Sequence, residues 1–411
     1  MNRVNIGLAS ALVLLCATSV VWLTSPIAAQ DNLATQHRAT TSAVELGRLL
    51  FWDPLLSGDR DVACATCHHP DFAYGDGRDL SLGAGAVGLG PARVDVSGGR
   101  IPTAKRNSPT ILNTALNGLD DRRRRRGGDG TAATLDPARA PMFWDSRVRS
   151  LETQALEPLK ALEEMRGTTS SEADALDMVL ARLRAVPEYV TLFQGTFGSG
   201  TAIDGPRLGQ AIAAFERTLV AMDSPLDRFR AGESGALTAQ QRRGLETFDN
   251  VGCDRCHRGT MFSDFDLEAE GVGEHPLLAE PDAGDGRFRF RTPSLRNVAL
   301  TAPYMHNGTL ATLEDVLRFY NNGRSENPNV PNDVSNDGRG RDGGGVPRLS
   351  RSFRRVDNMS DREMQDIVAF LESLTDSNFD RTIPARVPSG LQPGGFIANH
   401  ESPQPNHVAA R

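Results

Sequence analysis

Two short stretches of this chain repeat one spacing. Cys64-Ala65-Thr66-Cys67-His68 and Cys253-Asp254-Arg255-Cys256-His257 each place two cysteines three apart, with a histidine directly after the second. That spacing is the attachment signal for a c-type haem. The two thiols add to the two vinyl groups on one edge of a porphyrin, and the short turn between them brings the adjacent imidazole under the iron. The two copies use four of the five cysteines. A four-cysteine zinc site or two disulfides would also use CxxC pairs, but neither explains a histidine after both. Two covalently bound c-type haems are therefore expected, with His68 and His257 as iron ligands.

A chain of 411 residues has room for two domains with their own cores. Hydrophobic content of 39% and charged content of 24% are those of a globular protein. The net charge of −7 speaks against a nucleic-acid partner and suits a basic electron-donor protein. Residues 1–29 read as a secretory signal: Arg3, an apolar run from Ile6 to Leu23, then Ile27-Ala28-Ala29 before Gln30. The expected compartment is the periplasm, where covalent haem attachment takes place in bacteria; an uncleaved membrane anchor is the alternative.

In chain order, Leu46, Leu49 and Leu50 mark a helix over 41–52 that Asp53-Pro54 ends. From Ala73 to Arg106 the Gly-rich sequence predicts a long loop wrapping the first haem. Arg122–Arg126 reads as a solvated insertion rather than a docking site for an acidic partner. A helical run is expected from Leu151 to Leu162, with more helix over 171–196. Asp204-Gly205-Pro206 starts a helix with Leu208, Ile212, Phe215 and Leu219 on one face, taken as the start of a second domain. Thr238–Gln241 and Ser360–Glu363 are capping boxes. Leu313, Val316, Leu317 and Tyr320 share one face of a short helix, so Tyr320 points inward. The plan is all-α: two cytochrome c-like domains, 38–203 and 204–383, each with one haem and long loops, and a Pro-rich, loosely ordered tail over 384–411.

These blocks together resemble the bacterial di-haem cytochrome c peroxidase family, its MauG branch included, from about Leu46 to Leu374. The anchors are Leu49-Leu50-Phe51, Cys64–His68, Arg106–Thr110, Phe143–Arg147, Ala214–Leu219, Cys253–His257, Arg291–Asn297 and Ala302–His306. The resemblance implies that His68 serves a peroxide-binding haem and His257 an electron-relay haem. Trp144 would be the electron bridge between them. Gln154, Pro158 and Glu164, which lie 10, 14 and 20 residues after Trp144, would form the distal pocket. Glu164 and Gln154 would act on peroxide; Pro158 and Arg296 would contact a haem. Asn107, Thr301 and Pro303 would bind one calcium ion through oxygen donors.

Two departures qualify the likeness. Many members of the family carry a closing histidine before the Arg-Asn-x-Pro-Thr block, whereas residues 70–106 here contain none, so the first iron is expected to be open. Many also have a methionine eight residues after the threonine that starts the short helix; counting from Thr312 gives Tyr320, as in MauG. A tyrosinate would favour the ferric state. Met305 is the alternative sixth ligand. The implied activity is reduction of hydrogen peroxide with electrons from a small cytochrome c or cupredoxin. The alternatives are MauG-like oxidation of side chains on a partner protein and a non-catalytic di-haem electron carrier. Val251-Gly252 offers no tryptophan as an exit for a hole. A homodimer is compatible with the sequence.

Overall fold

Helices dominate, and two of them cross at a glycine in each half of the molecule. The computed structural model describes residues 42–120, 134–332, 348–353, 356 and 358–397, all within the unit Ala39–Arg411. The signal segment, the Arg122–Arg126 run and residues 398–411 lie outside the described residues. In the first half, a helix over residues 42–52 crosses Gly205–Glu216 at Gly47, where a Cβ would stand 1.9 Å from the Ala211 carbonyl oxygen. In the second half, Ala239–Asn250 crosses Asp361–Glu372 at Gly244, where a Cβ would stand 1.8 Å from the Asp366 carbonyl oxygen. Only glycine permits backbones this close.

Each crossing anchors a core. Leu46, Leu50, Leu183, Tyr189, Phe193, Leu208 and Ile212 are buried in the first; Phe248, Phe262, Leu317, Ile367, Phe370 and Leu374 in the second. The helix at Gly205, expected to open a second domain, therefore packs as the closing helix of the first core. Its apolar face meets the helix that precedes the first haem turn, as Asp361–Glu372 meets the helix before the second. Asp204, Thr238, Thr312 and Ser360 all cap their helices as the sequence indicated, each side chain accepting a backbone N–H three residues on.

Three differences from the sequence reading stand out. The run expected from Leu151 to Leu162 is helical only over Leu151–Gln154; turns around Pro158 lead to a π-helical turn, Leu162–Arg166. Proline has no N–H to continue a helix, and the Pro158 carbonyl instead accepts from the Ala161 and Met165 amides. The Gly-rich loop is held by two guanidinium groups. Arg78 donates to the carbonyls of Leu80, Gly90, Pro91 and Arg93, and Arg93 to those of Leu82, Gly83 and Gly88. Its regular structure is a two-residue pairing of Ala86–Val87 with Val94–Asp95 and the 3-10 turn Gly90–Ala92 between them. Lastly, residues 384–397 are not a loose tail. Val387 is buried, Gly394 N–H donates to the Trp52 carbonyl at 2.7 Å, and Thr66 Oγ donates to the Gly394 carbonyl at 2.8 Å. Ser389 bonds Asp53 at 2.7 Å. Residues 384–397 thus return to the first half and pack across its haem turn. Among the described residues no helix is long and apolar enough to cross a membrane.

Candidate haem sites and the contact between them

Both CxxCH turns are built alike. Cys64–Cys67 is a single helical turn and Cys253–Arg255 a 3-10 turn, and in each the histidine N–H donates to the first cysteine carbonyl, at 2.9 and 3.0 Å. His68 Nδ1 is bonded to the Tyr74 carbonyl and His257 Nδ1 to the Phe262 carbonyl, each at 3.0 Å. A ring whose Nδ1–H is committed to a carbonyl presents the lone pair of Nε2, the form that ligates iron. Burial lowers both imidazole pKa values, which favours that neutral form. None of the four cysteines is paired in a disulfide, which leaves each sulfur for a thioether bond.

Around His257 lies a largely apolar cavity with about 1640 Å³ of empty space, its solvent-facing part included. Its largely apolar lining suits a large flat cofactor. Cys253, Cys256, Phe248, Leu317, Ile367 and Leu371 line it. Tyr320 and Met305 line it too, so the two candidate sixth ligands face one space. The Tyr320 hydroxyl has no hydrogen-bond partner among the described residues. Burial, with the charge of Glu270 beside it, pushes the phenol well above its ordinary range. The donor set, free thiol pair and apolar walls fit a haem.

The first site has two acids of its own, Glu164 and Glu216. Glu164 sits on the π-helical turn, and its carbonyl accepts from the Ala84 N–H at 2.8 Å, pressing the Gly-rich loop against it. At Gly83 a Cβ would lie 2.1 Å from that carbonyl oxygen, so the close approach requires glycine. Burial first, then the charge of Glu163, raises Glu164 to about 7. Its own charge in turn raises Cys64 and Cys67, which sets it on the first haem turn's side of the fold. Gln154 ends the short helix Leu151–Gln154, and Pro158 lies between it and the π turn. Glu216, from the closing helix, is a buried acid the sequence reading passed over. Burial raises it to about 8, its Oε2 has no hydrogen-bond partner, and its charge reaches Cys64.

Between the sites stands Trp144. Its ring lines the His257 cavity, while Nε1–H donates to the Asn107 carbonyl at 3.0 Å. The next residue, Ser108, donates from Oγ to the Cys67 carbonyl at 3.0 Å. Arg106 ties the halves together: its guanidinium donates to Asp282 at 2.5 and 2.9 Å and to Asp145 at 2.7 Å. Asp145 and Asp282 are both held below the ordinary carboxylate range, since these bonds outweigh burial. The Asn107 side-chain amide donates to the carbonyls of Arg78, at 2.6 Å, and Pro303, at 3.5 Å. The Thr301 hydroxyl is turned away, to the Val298 carbonyl.

Arg296 does not line the cavity. Its guanidinium is committed to Asp227, at 2.8 Å twice, and to the Thr260 carbonyl. Arg291, from the same sequence block, lines the cavity instead. The roles of Arg78, Arg93, Arg106 and Asp282 were missed as well. Arg106 and Arg291 lay inside recognisable blocks, but Asp282 and the two loop arginines sit where no periodicity marks them.

A profile of the di-haem cytochrome c peroxidase family matches residues 41–235. The methylamine utilization protein MauG of Methylorubrum extorquens is 34% identical over 84% of this chain and 81% of its own length. Cytochrome-c peroxidase IdrP1 of Denitromonas iodatirespirans is also 34% identical, over 82% of each chain. The crystal structure of a MauG-like protein associated with microbial copper homeostasis superposes with a TM-score of 0.60 at 27% identity, covering 82% of this chain and 89% of that one.

Proposed function

Since this chain belongs to the di-haem cytochrome c peroxidase family, which includes MauG, and is an oxidoreductase of that kind, we propose that it reduces hydrogen peroxide at the His68 site with electrons relayed through the His257 site. When bound, the two haems would supply the peroxide-binding iron and the electron relay. Cys64, Cys67 and His68 would hold the first; Cys253, Cys256, His257 and Tyr320 the second.

The observation that carries the reading is Glu164, a half-buried acid on the π turn against which the Gly-rich loop is pressed, its pKa raised to about 7. Its carboxylate takes the proton from one oxygen of hydrogen peroxide and returns it to the other, so that water leaves instead of hydroxide. A pKa near neutrality serves both halves of that transfer. Gln154 orients the peroxide, and Pro158 shapes the pocket wall. Trp144 bridges the sites: its indole borders the second cavity and its N–H is tied, through Asn107 and Ser108, to the first haem turn. With its amide turned over, Asn107 would offer Oδ1 near the Pro303 carbonyl, and with the Thr301 carbonyl these would make an oxygen set for one calcium ion. We read residues 1–29 as a signal peptide, the compartment as the periplasm, and the electron donor as a small cytochrome c or cupredoxin.

A second reading is oxidation of side chains on a partner protein, as a MauG-like enzyme. Tyr320 in the second cavity favours it, because an anionic oxygen ligand favours the oxidised metal. The test is electron paramagnetic resonance and absorption of the fully oxidised protein with stoichiometric peroxide and no reductant. Signals from both haems that change at once support an open first site and the MauG-like relay. Signals that change only after one haem is reduced support the peroxidase with a closed resting state. Signals that never change leave an electron carrier and overturn the proposal.

A further inference from the structure

The second cavity contains a buried cation, Arg291, that no carboxylate neutralises among the described residues; its guanidinium carbon lies 5.9 Å from the centre of the Phe265 ring. Arg291 is 8% exposed and lines the cavity with His257, Cys256 and Trp144. Its Nε donates to the Phe143 carbonyl at 3.1 Å, and its main-chain N–H donates to the Trp144 carbonyl at 2.5 Å. Among the described residues no carboxylate pairs with it, and neither Nη atom has a hydrogen-bond partner. Burial lowers its pKa to about 10, with no acid near enough to oppose the shift. The contrast with its neighbours is plain: Arg296 is closed by Asp227, and Arg106 by Asp282 and Asp145. Glu268 and Glu270 line the same cavity, yet neither is paired with Arg291.

A guanidinium removed from water without a counter-ion is strongly disfavoured, and its best partner is a carboxylate that takes two parallel hydrogen bonds. Every haem carries two propionate carboxylates. We propose that the Nη edge of Arg291 seats one propionate of the second haem, while its Nε and main-chain N–H hold Phe143 and Trp144. This rests on the reading of the His257 site as a haem site. One residue then ties the relay haem to the bridging tryptophan. The fixed positive charge makes the haem easier to reduce, and it keeps the propionate ionised where a free one would take up a proton.

The experiment uses the holoprotein and its Arg291→Gln and Arg291→Lys variants. A count of covalent haems comes first: a wild type with one haem per chain overturns the two-haem reading, and with it the premise. With two haems present, the reduction potential of the second, resolved by its paramagnetic resonance signal, is followed from about pH 5 to about pH 8, the range spanning carboxylate and imidazole titration. The expected wild-type potential is flat with pH. In Arg291→Gln it is lower and falls as pH rises through the propionate range, and Arg291→Lys recovers most of the loss. A glutamine variant that keeps both haems with the wild-type potential and profile overturns the proposal. If that variant fails to load the second haem, the wild-type profile decides: flat supports the seat, and a break like that of an unpaired propionate overturns it.

Discussion

The two halves of this molecule share a haem turn and a glycine-gated helix crossing, and they differ in what surrounds the turn. Around His68 stand acids: Glu164 on its π turn and Glu216 on the closing helix, both raised toward or above neutrality by burial. Around His257 two acids, Glu268 and Glu270, are raised by burial as well, but they share the cavity with a phenol and a guanidinium that no carboxylate pairs among the described residues, Tyr320 and Arg291. Attachment depends on five consecutive residues, and the two copies are alike. Function depends on side chains delivered from elsewhere in the chain, and there the copies diverge. A proton-handling group belongs where bonds to oxygen break; a fixed positive charge belongs where an electron is held.

The largest expected effect separates the halves by their acids. Glu164→Gln should lower kcat/KM for peroxide by about 10²–10⁴-fold, the range for loss of a general acid–base, with both haems retained. Glu270→Gln, the same change in the second cavity, should lower it by less than about 10-fold. Equal losses in steady-state assays would erase the distinction. The pH profile sharpens it. Glu164 must be ionised to accept the first proton, so wild-type kcat/KM should fall as pH drops through about 7, and the glutamine variant should lose that limb.

The join between the halves comes next. Arg106→Ala removes the cation that holds Asp145 and Asp282, and the expected loss is about 3–5 kcal/mol in chemical denaturation, since buried carboxylates are left without it. A transition that splits into two, one per half, would show that Arg106 couples them. A smaller effect should fall on the first half alone. Ending the chain before residue 384 strips the Thr66, Trp52 and Asp53 contacts and unburies Val387, a loss of about 1.5–3 kcal/mol from the apolar side chain. The variant should load the first haem poorly and the second normally; equal loading of both would show that the returning segment is not part of the first site. The smallest effect tests the likeness itself. Gly47→Ala and Gly244→Ala should each lose about 1–3 kcal/mol in thermal melts, because a Cβ at either crossing meets a carbonyl of the partner helix.

What could be read from the chain alone was local and repeated. The CxxCH turns, the four capping residues and the inward face of Leu313–Tyr320 depend on neighbours within a few positions, and spacing carries that information. The assignment of the helix at Gly205 failed because a helix and its apolar face are visible in sequence, whereas the core it enters is not; only Gly47 against Ala211 settles that. The loose tail was inferred from prolines, and long-range bonds to Thr66 and Trp52 overruled them. Arg291 and Arg296 stand five positions apart in one block and look interchangeable on paper. Asp227, 69 residues from Arg296, closes that one and leaves Arg291 open to the cavity. Sequence by itself determined which cofactor the chain attaches and where, because thioether attachment needs only one short turn. Tertiary structure decided which charges stay unpaired beside it, because burial and counter-ions are properties of segments brought together from far along the chain.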